Sequence, residues 1–276
     1  MTAQALRAQI FKSLHERPGL FVIPNPWDAG SAKMLEVLGF EALATTSAGF
    51  AFSVAKPDQK GALDREETLG NIQAIIRATS LPVSADLENG FGDDPEICGE
   101  TIMLAAKAEL VGGSIEDASG RDNAPIYPFD LAVARVKSAV KAARTLPFPF
   151  TLTARAENFL YGYSDLRDTI RRLEAFADVG ADVLFAPGLN TRDEIDAVVR
   201  AVAPKPVNII MGRSAESLSL NELEKLGVKR VSVGSSLARA AYGAFLRAAQ
   251  EIKQTGTFNY AHEAIPFAQI NAMFKV

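Results

Sequence analysis

The sequence predicts an α/β protein built as a (β/α)8 barrel of the TIM type. Short apolar runs alternate with helix-patterned segments eight times along the chain. The 276 residues suit a fold that typically uses about 250. No GxGxxG follows the first apolar run, which continues instead as Pro24-Asn25-Pro26-Trp27-Asp28, so an open dinucleotide-binding sheet is not indicated. Strand alternating with helix means parallel pairing, because each crossover needs about a dozen residues.

An amphipathic segment at 5–14 precedes the first strand and is expected to plug the barrel floor. The expected strands are 20–24, 42–46, 82–87, 113–117, 150–156, 182–187, 206–211 and 230–234. Several are nearly continuous in apolar residues, as strands buried on both faces should be. Asp28 is expected to cap the helix after the first strand. Leu69, Ile72, Ile75 and Ile76 are spaced three and four apart, which marks the helix before the third strand. Val133, Val136 and Val140 share a face of the helix after the fourth strand, and Gly180 stops the helix after the fifth. No linker or charge block divides the chain. It reads as one domain, 1–276, with the barrel at about 20–254. The extension at about 255–276 is apolar but breaks the barrel period, so it is expected to pack outside the barrel or on another subunit.

Composition narrows the function. Hydrophobic residues make up 48% and charged residues 22%, as in a folded globular protein. No apolar run approaches the roughly 20 residues that span a bilayer, and the N-terminal stretch lacks a signal-peptide block, so a cytoplasmic location is expected. The net charge of −4 argues against nucleic-acid and membrane partners. Cys98 is the single cysteine, which excludes an internal disulfide and a cysteine metal cluster. His15 and His262 lie in the N-terminal helix and the tail, so a Ser-His-Asp triad or an HExxH zinc site is not expected. The chemistry must then rest on carboxylates, arginine, hydroxyls and backbone amides, with or without a metal.

Active sites of β/α barrels form at the C-terminal strand ends. There the third strand carries Asp86 and Glu88, two apart and so on one face, and the fourth carries Glu116 nearby. Three acids meeting at a barrel mouth repel one another, and a hard divalent cation held with waters resolves this. Helix capping or pairing with surface lysines is the structural alternative. Arg155 lies in an otherwise apolar strand end, where it can bridge Glu116 or Glu88, fork onto a substrate carboxylate, or both. Thr46, Ser47, Ala48 and Gly49 offer hydroxyls and backbone N–H groups suited to a small carboxylate. Asp58, in a polar loop, is a turn residue or a site residue. Asn208 either meets the distal part of a substrate or satisfies polar groups inside the barrel.

The ordered set Ser47-Ala48-Gly49, Asp86-Leu87-Glu88-Asn89-Gly90-Phe91-Gly92, Ile115-Glu116-Asp117 and Ala154-Arg155-Ala156-Glu157 resembles the isocitrate lyase/phosphoenolpyruvate mutase superfamily, over about residues 21–237. The resemblance implies Mg2+, with Mn2+ as a substitute, and a small 2-oxo acid or its enolate as ligand. It implies a homotetramer, a dimer of dimers in which the last barrel helices exchange between neighbours. It places Asp86, Glu88 and Glu116 around the metal, Asp58 near it, Thr46, Ser47, Ala48 and Gly49 on the carboxylate, and Arg155 on the substrate. Two departures stand out. The family's second aspartate is Glu88 here, one methylene longer. After Glu116-Asp117 the chain reads Ala118-Ser119-Gly120-Arg121-Asp122-Asn123, without the Lys-[KR]-Cys-Gly-His loop of isocitrate and methylisocitrate lyases. Cys98 does not replace that cysteine, because it falls in the helix after the third strand.

The resemblance thus implies a Mg2+-dependent lyase or decarboxylase for a small 2-oxo or 2-hydroxy dicarboxylate. The alternatives are phosphonopyruvate or carboxyphosphonoenolpyruvate chemistry at a P–C bond, and a barrel that binds a 2-oxo acid without turning it over.

Overall fold

The computed structural model describes residues 1–58, 61–212 and 218–275. In chain order the first half contains α1 (Ala3–Glu16), β1 (Phe21–Ile23), α2 (Ala29–Val37), β2 (Leu43–Ala44), α3 (Ser47–Ser53), α4 (Arg65–Ala78), β3 (Val83–Asp86) and α5 (Pro95–Lys107). The second half contains β4 (Gly112–Glu116), α6 (Phe129–Arg144), β5 (Thr151–Arg155), α7 (Leu166–Asp178), β6 (Val183–Phe185) and α8 (Arg192–Val202). It continues with β7 (Val207–Ile210), α9 (Leu220–Lys225), β8 (Arg230–Ser232), α10 (Ser236–Thr255) and α11 (Phe267–Met273). Short 3-10 turns follow β5 and α10, at Asn158–Tyr161 and Asn259–His262.

The eight strands run parallel in the order β1-β8-β7-β6-β5-β4-β3-β2. Across the remaining gap the Ala44 N–H donates to the Pro24 carbonyl at 3.1 Å. The result is the nearly closed α/β barrel expected from the alternation, with helices flanking it. Seven strands are two or three residues shorter than the apolar runs, because the ends of those runs turn into loops, and β4 keeps its length but begins one residue earlier.

Local chemistry sets the helix starts. Asp28 caps α2 in a capping box with Ser31, as expected, and Asp64 with Glu67 and Thr191 with Glu194 cap α4 and α8 in the same way. Each such cap typically contributes about 1 kcal/mol. Helix α1 closes the floor. Its buried face, Ala8, Phe11 and Leu14, packs with Phe21, Ile23, Ala42 and Val111. A Cβ on Gly112 would lie 2.8 Å from Phe11 Cε1, so the first residue of β4 must be glycine for the plug to seat. Among the described residues no helix is long and apolar enough to cross a membrane. The C-terminal part is different in character: Phe245, Leu246 and Phe258 are exposed, and Phe267 is 84% exposed.

His15, on the last turn of α1, lies edge-on to Phe11 and Phe21. Its Nδ1 donates to the Phe11 carbonyl at 2.8 Å, so the bare Nε2 accepts from Arg230 Nη1 at 3.3 Å. Burial, then the Arg230 and Lys229 charges, pull His15 down to about 3, against the backbone hydrogen bond that favours its charged form. Unfolded, it titrates near 6.5. Between those values the unfolded chain binds the extra proton, so stability is complete above pH 6.5 and falls as pH drops from 6.5 toward 3. His15→Gln is expected to remove this contribution. Urea unfolding at stepped pH should show a shallower loss in the variant, with a difference in slope of up to about 1.4 kcal/mol per pH unit.

Candidate active site

The loops after the strands enclose two adjoining cavities at the C-terminal end of the barrel. One, about 290 Å³, runs from Ser47, Asp86 and Arg155 at the mouth down to Asn208 and Arg230. The other, about 260 Å³, is lined by Asp58, Glu88, Glu116, Glu157 and Tyr161, and shares Arg155 and Ser47 with the first.

Arg155 holds the two cavities together. It ends β5, level with Glu116 at the end of β4. Its Nη1 lies 2.9 Å from Asp86 Oδ1, its Nη2 3.1 Å from Glu116 Oε2 and its Nε 2.8 Å from Glu157 Oε1. The guanidinium lies over the Phe185 ring, 5.2 Å from its centroid. Asp86 is fixed from the other side, because its Oδ2 accepts from Ser47 Oγ at 2.8 Å and from Ser47 N–H at 3.3 Å. Glu157 is held by its backbone, which donates to Asp117 Oδ1 at 2.8 Å, and Asp117 is ion-paired to Arg172 at 3.0 Å. Asp117 therefore supports the site from outside the barrel rather than facing it.

The segment from Asp86 to Gly92 owes its shape to strained backbone. Glu88 and Phe91 adopt φ of 47° and 63°, in the left-handed region that side chains disfavour. Such conformations persist where the surroundings over-determine them. Here the buried Arg135 guanidinium, stacked on Tyr127 with 4.2 Å to the ring centroid, donates to the carbonyls of Asn89, Gly92 and Asp93. Thr101 Oγ1 donates to the Gly90 carbonyl at 2.8 Å. Glu88 is thus presented to the cavity by its backbone.

One arginine cannot balance four acids. Burial, then the charges of Asp86 and Asp58, push Glu88 up to about 8. Burial pushes Glu157 up to about 7, against the pull of Arg155. Glu116 is raised as well, again chiefly by burial. This donor set retains protons or accepts a further cation. Among the described residues no three acidic, histidine or cysteine side chains converge into a ready metal cage, because Arg155 stands between Asp86 and Glu116. The set fits Mg2+ in its usual form, with one or two direct carboxylates and the remaining positions filled by water. The acid-lined cavity has room for such a hydrated ion.

The residues expected to matter are distributed as follows. Thr46, Ser47 and Ala48 line the larger cavity, and Asp58 lines both. Gly49 lines neither. Its N–H donates to Thr46 Oγ1 at 3.3 Å, and a Cβ there would lie 2.6 Å from Thr46 Cγ2, so close packing accounts for the glycine. Asn208 lines the cavity but is engaged, accepting from Arg230 Nε at 2.8 Å and donating to Ser232 Oγ at 3.0 Å. Arg155 bridges Glu116, as one reading held, but its other ion-pair partners are Asp86 and Glu157 rather than Glu88. Arg121 faces outward, paired with Asp93 at 2.5 Å. Cys98 is buried in α5 with its thiol pushed up to about 11, mainly by burial.

Three residues were given no role by the sequence reading. Glu157 follows Arg155 by two, which places both on one side of the extended chain. Asn25 staples three strand ends, donating to the Thr45 carbonyl at 3.0 Å and accepting from Val233 and Gly234 N–H at 2.9 Å. Arg230 opens β8 directly after Lys229, so the pair reads as an exposed strand start and not as an inward-facing charge. Arg155→Met is expected to leave the buried acids without their cation and to lower stability at pH 7 by about 3 kcal/mol or more. Denaturant unfolding measures this, and the deficit should shrink at pH 5, where the acids raised by burial hold protons.

Comparison with known proteins agrees with this geometry. The family model described as phosphoenolpyruvate phosphomutase matches residues 11–253. The crystal structure of a lyase/mutase so described from Burkholderia cenocepacia is 59% identical, with a TM-score of 0.96, and the match covers 99% of this chain and 97% of that one. The crystal structure of 2,3-dimethylmalate lyase is 25% identical with a TM-score of 0.87, over 98% of this chain and 95% of the other. A probable 2-methylisocitrate lyase of Corynebacterium glutamicum is 28% identical over 262 residues, 91% of this chain and 83% of its own length. The chain belongs to the phosphoenolpyruvate phosphomutase family, within the isocitrate lyase/phosphoenolpyruvate mutase superfamily, and is an enzyme of that lyase and mutase class.

Proposed function

We propose that the protein is a divalent-metal-dependent carbon–carbon lyase acting on a small 2-oxo or 2-hydroxy dicarboxylate through an enolate. The observation that carries this reading is Arg155 fixed among Asp86, Glu116 and Glu157 where two cavities adjoin. The relatives named 2-methylisocitrate lyase and 2,3-dimethylmalate lyase support the reaction class. Asp86 and Glu88, with Glu116 and Asp58 beside them, would hold Mg2+ or Mn2+ together with waters. When bound, that ion supplies positive charge beside the C2 oxygen of the substrate.

The protein's own groups do the rest. The backbone at Thr46 and Ala48 receives the C1 carboxylate at the mouth of the larger cavity, beside the Ser47 hydroxyl that fixes Asp86. In a 2-oxo dicarboxylate the C3–C4 bond breaks and carbon dioxide leaves. The electron pair moves into C2–C3, negative charge gathers on the C2 oxygen, and C3 then takes a proton. In a 2-hydroxy acid the hydroxyl gives up its proton, the C2–C3 bond breaks, C2 becomes the carbonyl and C3 takes a proton. The Arg155 guanidinium is held in place before either reaction begins, so stabilising the new charge needs no reorganisation.

Assembly belongs to the same reading. The apolar residues left exposed on α10 and beyond it, Phe245, Leu246, Phe258 and Phe267, fit a homotetramer in which the last barrel helices exchange between neighbours.

The test uses purified enzyme with oxaloacetate, 2-methylisocitrate and 2,3-dimethylmalate, each followed by 2-oxo acid release with and without Mg2+. Asp86→Ala should lower metal-dependent turnover about 10²–10³-fold, the usual cost of one electrostatic contact in a transition state. Undiminished metal-dependent turnover in that variant would remove the proposal. Release of phosphate from phosphonopyruvate in place of C–C cleavage would assign the site to P–C chemistry. Saturable binding without product across the panel would make it a 2-oxo acid receptor.

A further inference from the structure

The second arginine of the larger cavity has no acid beside it. Arg230 opens β8 with its side chain inside the barrel, and it is 5% exposed. Its Nε donates to Asn208 Oδ1 at 2.8 Å, its Nη2 to Thr153 Oγ1 at 3.0 Å and its Nη1 to His15 Nε2 at 3.3 Å. All three acceptors are neutral, and among the described residues no carboxylate pairs with it. Burial alone acts on its charge, pulling it down to about 9, so it stays a cation at neutral pH. Three of its five N–H groups are used, which leaves two for a ligand.

The surroundings are built for a polar occupant. Barrel interiors are ordinarily filled by bulky branched side chains. Here Ser84, Ser114, Thr153 and Ser232 line the cavity down to Arg230 and leave open space above it. Thr153, which touches the guanidinium, precedes Arg155 by two residues. The lower cation is thus anchored on β5 about 7 Å of strand below the residue that carries the upper one, at about 3.3 Å per residue. The upper one answers three carboxylates of the protein and the lower one none. A buried ion without a partner is costly, and an anion reaching it recovers that cost.

We infer that Arg230, aimed by Asn208 and Thr153, receives the distal carboxylate of a dicarboxylic 2-oxo acid whose 2-oxo end lies at Arg155. The inference rests on the reading of this cavity as a 2-oxo acid site and makes it specific for dicarboxylates. A monocarboxylate would leave the floor cation as unpaired as before, so Arg230 selects by charge at the far end of the substrate.

The experiment compares 2-oxoglutarate with 2-oxovalerate, which differ by a carboxylate against a methyl at the same chain length. Calorimetric titrations use the full-length protein with Mg2+ present. Wild type should bind 2-oxoglutarate about tenfold or more tightly over 2-oxovalerate, the signature of one charge-assisted contact. Arg230→Gln should bring the two affinities together while leaving that for 2-oxovalerate unchanged, and Arg230→Lys should keep part of the preference. Asn208→Asp supplies an internal counter-ion at nearly the same size, and should also abolish the preference, which keeps the test open if Arg230→Gln does not fold. Equal affinities in wild type, or a preference that survives in both Arg230→Gln and Asn208→Asp, would overturn the inference. If neither 2-oxo acid bound, the reading of the cavity as a 2-oxo acid site would fall, and acetate would then decide the anion site. A melting-temperature rise with acetate that Arg230→Gln abolishes would sustain the carboxylate site, and equal responses in the two proteins would remove it.

Discussion

A single guanidinium lets four acids share one barrel mouth. Asp86, Glu116 and Glu157 come from the ends of β3, β4 and the stretch just past β5, and each reaches Arg155 within 3.1 Å. Without that cation their mutual repulsion, in a site removed from water, would push the strand ends apart or neutralise them. Even with it the balance is incomplete, and burial drives Glu88, Glu116 and Glu157 toward their protonated forms. The site is therefore held at rest in a state that favours added positive charge. That is a sound starting point for chemistry in which negative charge appears on the substrate.

The supports around this cluster divide the work by depth. At the rim, Arg135 and Tyr127 hold the backbone that presents Glu88, and Asn25 ties the ends of the strands on either side of the barrel's gap. At the floor, α1 closes the barrel and brings His15 to Arg230. His15 must stay neutral there, since a charged ring would face a cation that has no acid to offset it. The plug thus does more than fill space: it supplies an acceptor that orients the floor arginine. Between rim and floor, hydroxyl-bearing side chains replace the usual apolar layers and keep the interior open.

Much of this could be read from the chain, for reasons that differ by residue. The barrel was legible because strand and helix periods alternate without interruption, and because parallel strands must be crossed by helices. Asp86, Glu116 and Arg155 were legible because a charge inside an apolar run demands an explanation. Asp28 was legible as a cap because its side chain and Ser31 lie at capping-box spacing. Gly49 was ambiguous, because a glycine needed for close packing and a glycine needed for ligand approach look the same in a sequence. The roles of Glu157 and Arg230 were hidden for another reason. Each lies at the edge of a strand, where one residue of uncertainty in the boundary decides whether a side chain enters the barrel or leaves it. Asn208 was noticed, but its partner Arg230 lies on another strand, and contacts across a barrel leave no pattern in local spacing.

The account depends most on the claim that the acid-lined cavity is a cation site organised around Arg155. Crystals of the protein grown with Mn2+ test it directly, because manganese gives an anomalous signal that water does not. The account predicts a peak in the cavity beside Asp86 and Glu88, with waters completing its coordination and Arg155 still bound to Glu157. A cavity without anomalous density at saturating Mn2+, its carboxyl groups hydrogen-bonded to one another, would contradict it.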